Sequence, residues 1–306
     1  MNALIMRQKN MERMLIALLP LLILGIFLFG WRVLIVVLTA NLFAFFSEFL
    51  FQRTKKNARV SMSVFVTGSL LGLSLPPTIP LWMTAVGAVV AVTFGKMVFG
   101  GFGMNPFNPA IVGRTFIYIS FASEMTMNWV KPFTSLPGGF AYYINSLMFT
   151  SATPMISFRE SGMMESYRNL FIGFTPGSIG ETSALLIIIA AIYLLLTKTA
   201  KWQPMIATTM SFLVFTWIFR NQNPFPFLLS GSILFGAVFM TTDPVSMPKD
   251  IRTIWIYGII VGSMTAFIQQ YSLFIGGFSF ALLLANTFSP IFDYAFLQLK
   301  KKRVES

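Results

Sequence analysis

Between two apolar runs lies a segment that a helix simply crossing a membrane would not carry: Phe-Gly-Gly-Phe-Gly-Met-Asn-Pro-Phe-Asn-Pro-Ala-Ile-Val-Gly-Arg, residues 99–114. Gly100, Gly101, Gly103 and two Asn-Pro pairs break a helix there, and each proline leaves a carbonyl without its intrahelical donor. In a bilayer such a break survives only where protein or a water-filled cavity satisfies the freed groups. The chain echoes it at 235–248, Phe-Gly-Ala-Val-Phe-Met-Thr-Thr-Asp-Pro-Val-Ser-Met-Pro. Phe235, Gly236 and Met240 match Phe99, Gly100 and Met104 at one constant offset, and Asn105-Pro106 and Asn108-Pro109 stand opposite the single Asp243-Pro244. Two readings fit the pair: ordinary interhelical turns, or discontinuous helices around a transport pathway.

The rest of the chain sets the solvent. Of 306 residues 56% are hydrophobic and 10% charged, with mean hydropathy +0.74, whereas a soluble domain has about 25% charged residues. The apolar runs are about 16 to 20 residues long, enough to cross the hydrocarbon as helices. The short alternating segments of a membrane barrel are missing. The expected class is therefore an all-α polytopic membrane protein. With no cysteine and no histidine, thiolate metal and iron–sulfur sites, imidazole-ligated haem and most zinc chemistry fall away. No metal site and no catalytic side chain of its own is expected, and any redox cofactor would be organic.

Ten spans are expected, at about 13–30, 32–51, 61–75, 80–98, 109–122, 181–197, 204–219, 226–241, 251–268 and 271–290. The first has basic residues before it but no small-residue cleavage site after it, so it reads as an uncleaved helix. The third ends in Pro76-Pro77-Thr78-Ile79-Pro80 and fits either a full span or a half-helix. Residues 1–122 form a first membrane half, 123–180 a long polar region, and 181–306 a second half with a basic tail. Ten spans put both termini on one side. Arg7, Lys9, Arg13, Arg53, Lys55, Lys56, Arg59, Lys198, Lys201, Lys249, Arg252 and Lys300 to Arg303 lie there, against Arg32, Lys131, Arg159, Arg168 and Arg220 opposite. That asymmetry places both termini in the cytoplasm and 123–180 outside. The net charge of +12 is a topology signal, and no nucleic-acid partner is expected.

Two polar clusters remain. Thr150-Ser151-Ala152-Thr153-Pro154 reads locally as a turn. Thr175-Pro176-Gly177-Ser178-Ile179-Gly180-Glu181-Thr182-Ser183 fits the start of a helix, where hydroxyls and a carboxylate cap free amides and a phosphate would also be received. Glu181, Asp243 and the amides of Asn105 and Asn108 are the polar groups nearest the expected pathway, and for Asp243 capping and pathway lining are equal readings.

Four motifs occur in order: 95–110 (Gly-Lys-Met-Val-Phe-Gly-Gly-Phe-Gly-Met-Asn-Pro-Phe-Asn-Pro-Ala), 151–154 (Ser-Ala-Thr-Pro), 176–183 (Pro-Gly-Ser-Ile-Gly-Glu-Thr-Ser) and 235–246 (Phe-Gly-Ala-Val-Phe-Met-Thr-Thr-Asp-Pro-Val-Ser). Together they resemble the membrane flavoprotein family that contains the D-type subunit of the Rnf electron transport complex and the B-type subunit of the sodium-translocating NADH:quinone oxidoreductase. The resemblance covers essentially the whole chain, and the length favours the D-type. It implies two five-helix inverted repeats, similar to urea transporters, in a bacterial inner membrane. It also implies FMN joined through its phosphate to Thr153, with Thr150 and Ser151 among the preceding motif positions. A second, non-covalent flavin such as riboflavin is left open. Leu147 stands where the motif has aspartate, and Ser151 where glycine is commonest. The implied partners are the other membrane and peripheral subunits of the complex, a flavin transferase working on the outer side, and Na+ or H+ as the moved ion. A small-solute channel or carrier on the same fold, without covalent flavin, is the alternative. An exposed loop threonine would contribute little to folding.

The charge asymmetry makes the topology testable. A reporter fused at Lys201 should read inside and one near Ser135 outside, and the same side for both would remove the ten-span arrangement.

Overall fold

The computed structural model describes residues 5–53, 59–143, 150–230, 232–272, 274 and 276–305. The first half runs β1 (Ile5–Met6), α1 (Lys9–Phe29), α2 (Arg32–Gln52), β2 (Val60–Ser61), α3 (Ser63–Leu73), α4 (Leu81–Val92, continuing as a π-helical turn Thr93–Met97) and α5 (Pro109–Ser120). β1 and β2 pair in parallel. The middle region holds α6 (Ala122–Thr126), β3 (Trp129–Val130), β4 (Thr150–Ser151), α7 (Pro154–Ser161) and α8 (Tyr167–Ile172), with β3 and β4 antiparallel. The second half has α9 (Ala184–Leu196), α10 (Trp202–Arg220), α11 (Phe225–Leu229), α12 (Ser232–Phe239), α13 (Ile251–Tyr271) and α14 (Gly277–Glu305).

Among the described residues four helices are long and apolar enough to cross a membrane, within α1, α2, α13 and α14. They carry large apolar side chains exposed on the outside, such as Ile16, Leu19, Leu38, Leu42, Ile259 and Phe267. A soluble fold would have to cover such a surface.

The third and eighth apolar stretches are not full-length helices. At about 1.5 Å per residue, α3 is about 16 Å long, half the roughly 30 Å hydrocarbon thickness. It ends where Pro76 and Pro77 cannot donate, and Ser74 Oγ donates back to the Leu71 carbonyl. The carbonyls of the proline segment go to one guanidinium: Arg32 donates to the oxygens of Pro77, Thr78 and Ile79 at 3.1, 3.1 and 3.0 Å. In the eighth stretch α11 and α12 replace the single expected helix, and the chain after Phe239 turns through Met240–Asp250 before α13. The last helix starts later than hydropathy alone predicts, after Gly276, and runs on through the basic tail.

Close backbone approaches fix the packing. A Cβ on Gly113 would lie 2.5 Å from the Gly87 carbonyl and 2.7 Å from the Ala91 side chain, so α4 and α5 cross backbone to backbone, antiparallel. Gly258 meets Ala207 and Gly262 meets Ser211, so α10 and α13 run side by side in one direction. In the first half α3 packs on α1, α2 and α5, while α4 packs on α2 and α5. In the second half α12 packs on α9, α10 and α14, while α13 packs on α10 and α14. Between halves α1 lies antiparallel to α9, with Arg13 donating to the Thr197 carbonyl at one end and Gly25 against Ile179 at the other.

The middle region gathers helix ends at one face of the bundle. Phe133 N donates to Leu28 O and Trp31 N to Tyr142 O, while Arg159 and Arg220 both donate to the Gln269 carbonyl. Gly113→Val should force α4 and α5 apart at a cost of about 1–3 kcal/mol, read as a lower unfolding midpoint in detergent. An unchanged midpoint would mean that this crossing is not tightly packed.

Candidate functional site

Helix α5 begins at a break and ends at the middle region, and a cavity lies at each end. Its start follows from local sequence. Asn108 caps it, with Oδ1 accepting from Ala110 N and Ile111 N at 3.0 and 3.4 Å, and Pro109 occupies the first turn where no N–H is needed. The Asn108 amide also donates to the Met240 carbonyl at 3.4 Å. The two echoed breaks therefore meet directly.

The cavity there is lined by Lys96, Phe102, Asn105, Asn108, Asp243 and Pro244, with Ser63 and Thr67 from α3. Asn105 donates to the Phe107 carbonyl at 3.0 Å. Asp243 accepts from Val245 N at 3.1 Å and Ser246 Oγ at 2.9 Å, so it stabilises its own turn while it lines the cavity. The capping reading is seen directly, and the side chain also faces the cavity. Beside it Lys96, in the π-helical turn, is 1% exposed. Its Nζ donates to Glu48 Oε2 at 2.6 Å, Ser61 Oγ at 2.6 Å and Ser63 Oγ at 2.8 Å. Glu48 is fully buried and its other oxygen accepts from the Ser61 amide and hydroxyl.

The second cavity encloses about 680 Å³ of empty space including its mouth, and Arg114, Tyr118, Trp129, Thr153, Ser178 and Glu181 line it. Glu181 accepts from both terminal nitrogens of Arg114, a buried bidentate pair. Helix capping in this stretch falls to Ser183, whose Oγ accepts from Leu186 N. Thr153 is 8% exposed rather than open to solvent. It caps α7, with Oγ1 accepting from Ile156 N at 3.4 Å and Pro154 following at the first helical position. Removing the side chain should thus cost about 0.5–2 kcal/mol through the lost cap, more than a loose loop position would. The β3–β4 pairing, Trp129 with Ser151 and Val130 with Thr150, holds the motif against the cavity wall. Leu147 lies outside the described residues.

The structure thus joins Asn105, Asn108 and Asp243 in one cavity and Thr153 with Glu181 in the other, and it does not bring the two sets together. Asn108 and Arg114 are six residues apart on α5, about 9 Å along the axis. Glu48, Lys96 and Arg114 were not singled out as site residues from sequence. The available signal was a lone charge inside an apolar run, which in a membrane marks a paired, functional group.

Breaking one of the buried pairs should be costly. Glu181→Gln leaves the Arg114 guanidinium buried without a counter-charge, for about 3–5 kcal/mol, whereas Arg114→Met with Glu181→Met should recover most of that. Unfolding midpoints in detergent check the order, and equal midpoints for the single and double variants would contradict it.

A match to the NQR2, RnfD, RnfE family extends over residues 3–302. The chain is 35% identical to the B-type subunit of the Na(+)-translocating NADH-quinone reductase of Chromohalobacter salexigens, over 84% of this chain and 64% of that protein. It is 34% identical to the corresponding protein of Pseudomonas paraeruginosa, over 88% and 68% respectively. Against the D-type subunit of the proton-translocating ferredoxin:NAD(+) oxidoreductase complex of Clostridium ljungdahlii the identity is 32%, over 93% of this chain and 88% of the relative. The chain spans about two thirds of the length of the B-type relatives. It belongs to the NQR2, RnfD, RnfE family.

Proposed function

We propose that this chain is the D-type membrane subunit of an ion-translocating oxidoreductase complex, carrying FMN on Thr153 and coupling electron transfer to movement of Na+ or H+. The observation that carries the reading is the place of the Thr153 hydroxyl, on the wall of a cavity whose partner cavity, at the other end of α5, holds both helix breaks. Coverage of 88% of a D-type relative against 64–68% of the B-type relatives supports the D-type.

The residues present fit a phosphate-linked flavin. The Thr153 oxygen faces the amide end of α7, where negative charge is favoured. Tyr118 and Trp129 line the cavity, and the Nε of Arg114 is a buried donor without a hydrogen-bond partner among the described residues. A bound flavin supplies one- and two-electron chemistry. The chain holds the phosphate end, walls the site and places the Arg114–Glu181 pair at its inner side.

Ten crossings in two inverted five-helix units are our reading, supported by similar partner patterns in the halves, with α1, α2, α3, α4 and α5 answering to α9, α10, α12, α13 and α14. The antiparallel α1 and α9 are what inversion requires. Both termini face the cytoplasm of a bacterial inner membrane in this reading, with the Thr153 cavity outside, where a flavin transferase and the other subunits have access.

Thr153→Ala should abolish covalent flavin and electron transfer by the assembled complex, while Thr153→Ser keeps both the cap and an acceptor hydroxyl. Mass spectrometry of the 149–159 peptide, after co-expression with a flavin transferase reaching the outer side, reads the bond directly. An unmodified wild-type peptide would mean that the chain with Leu147 in place of aspartate carries no covalent flavin.

A further inference from the structure

The inner cavity has a charge deficit. Its wall carries one cation, Lys96, and one carboxylate, Asp243, while Glu48 sits directly behind the lysine. Two carboxylates thus face one fixed cation among the described residues, in surroundings where an uncompensated charge is strongly destabilising. With both carboxylates ionised one positive charge is missing, to be supplied by a bound cation or by a proton on Asp243.

The position Lys96 occupies resembles a metal-cation site. Three oxygens, Glu48 Oε2, Ser61 Oγ and Ser63 Oγ, converge on Nζ at 2.6–2.8 Å. The adjoining cavity of about 50 Å³ has room for about three waters, which would complete an oxygen shell. A proton needs only one of these oxygens, so the set suits a metal cation. Lys96 itself sits in a π-helical turn, a geometry that inserts one residue into a helix and recurs at functional sites.

We propose that Lys96 is a tethered cation that exchanges places with one mobile Na+ between the Glu48–Ser61–Ser63 oxygens and Asp243. When the lysine holds Glu48, the Na+ lies at Asp243. When Na+ enters the serine–glutamate oxygens, the lysine moves to Asp243. Neither carboxylate is left bare in either state, so the lysine cannot move unless the ion moves the other way. This deepens the ion-coupling part of the proposed function and rests on it.

The test counts charge. In the purified, assembled complex without turnover, the Na+ concentration that half-saturates the rise in unfolding temperature is compared with choline as the control salt. Lys96→Met leaves two bare carboxylates and should lower the half-saturating concentration at least about tenfold. Lys96→Met with Glu48→Gln restores a deficit of one and should return it to the wild-type range. Asp243→Asn removes the deficit and should raise it at least about tenfold. Should Lys96→Met not assemble, the charge-balanced double variant and Asp243→Asn still decide. Equal half-saturation in those two, or no Na+-specific shift in any variant, overturns the exchange. So does a double variant that still moves the wild-type number of ions per electron. Because the binding arm is read without electron flow, it fails independently of the flavin and electron-transfer reading.

Discussion

The structure depends on one constraint: every backbone carbonyl freed by a helix break in an apolar interior needs a donor. Both half-length elements meet it from a distance in sequence. Arg32, at the start of α2, spends its guanidinium on the three carbonyls of Pro77, Thr78 and Ile79. Asn108, while capping α5, reaches the Met240 carbonyl at the end of α12. These contacts turn helix breaks into fixed walls. They also explain why cavities lie beside breaks, since polar groups that face a break can also face water.

The same economy governs charge. Glu48 with Lys96 and Glu181 with Arg114 are each buried to within a few per cent. Replacing such pairs with apolar residues is often neutral or stabilising, so folding alone gives little reason to keep them. They are placed one beside each of the cavities at the two ends of α5. Thr153 shows the same double use. Its hydroxyl caps α7 and also lies on the wall of the outer cavity.

Much of the fold was legible in the sequence, because length and hydropathy respond directly to the bilayer. The order of apolar segments, the two breaks and the polar middle region all appear where composition places them. Half-helices were harder to read. Residues 61–75 are apolar throughout, and what stops α3 at Leu73 is the pair of prolines together with a guanidinium 45 residues away. The eighth run looked continuous for the same reason. Side-chain pairing was not legible at all. Glu48 and Lys96 are 48 positions apart and Arg114 and Glu181 67 apart, with no periodicity linking them. The meeting of the 99–114 and 235–248 stretches was hinted at by their likeness, yet likeness alone does not distinguish contact from coincidence. The Asn108–Met240 bond does.

The arrangement also bears on the energetics of ion movement. Carrying one elementary charge against 100 mV costs about 2.3 kcal/mol whatever the path. Where that cost falls depends on where the polar cavities end. From Asn108 to Tyr118, α5 rises about 15 Å, half of the roughly 30 Å hydrocarbon. If water reaches both cavities, most of the field drops across the packed turn and a half between Asn108 and Arg114, where Ile111 is fully buried. An ion waiting at Asp243 then sits before the field, and the Arg114–Glu181 pair sits within or just beyond it. If an ion passes along α5, the step that must be driven is therefore short.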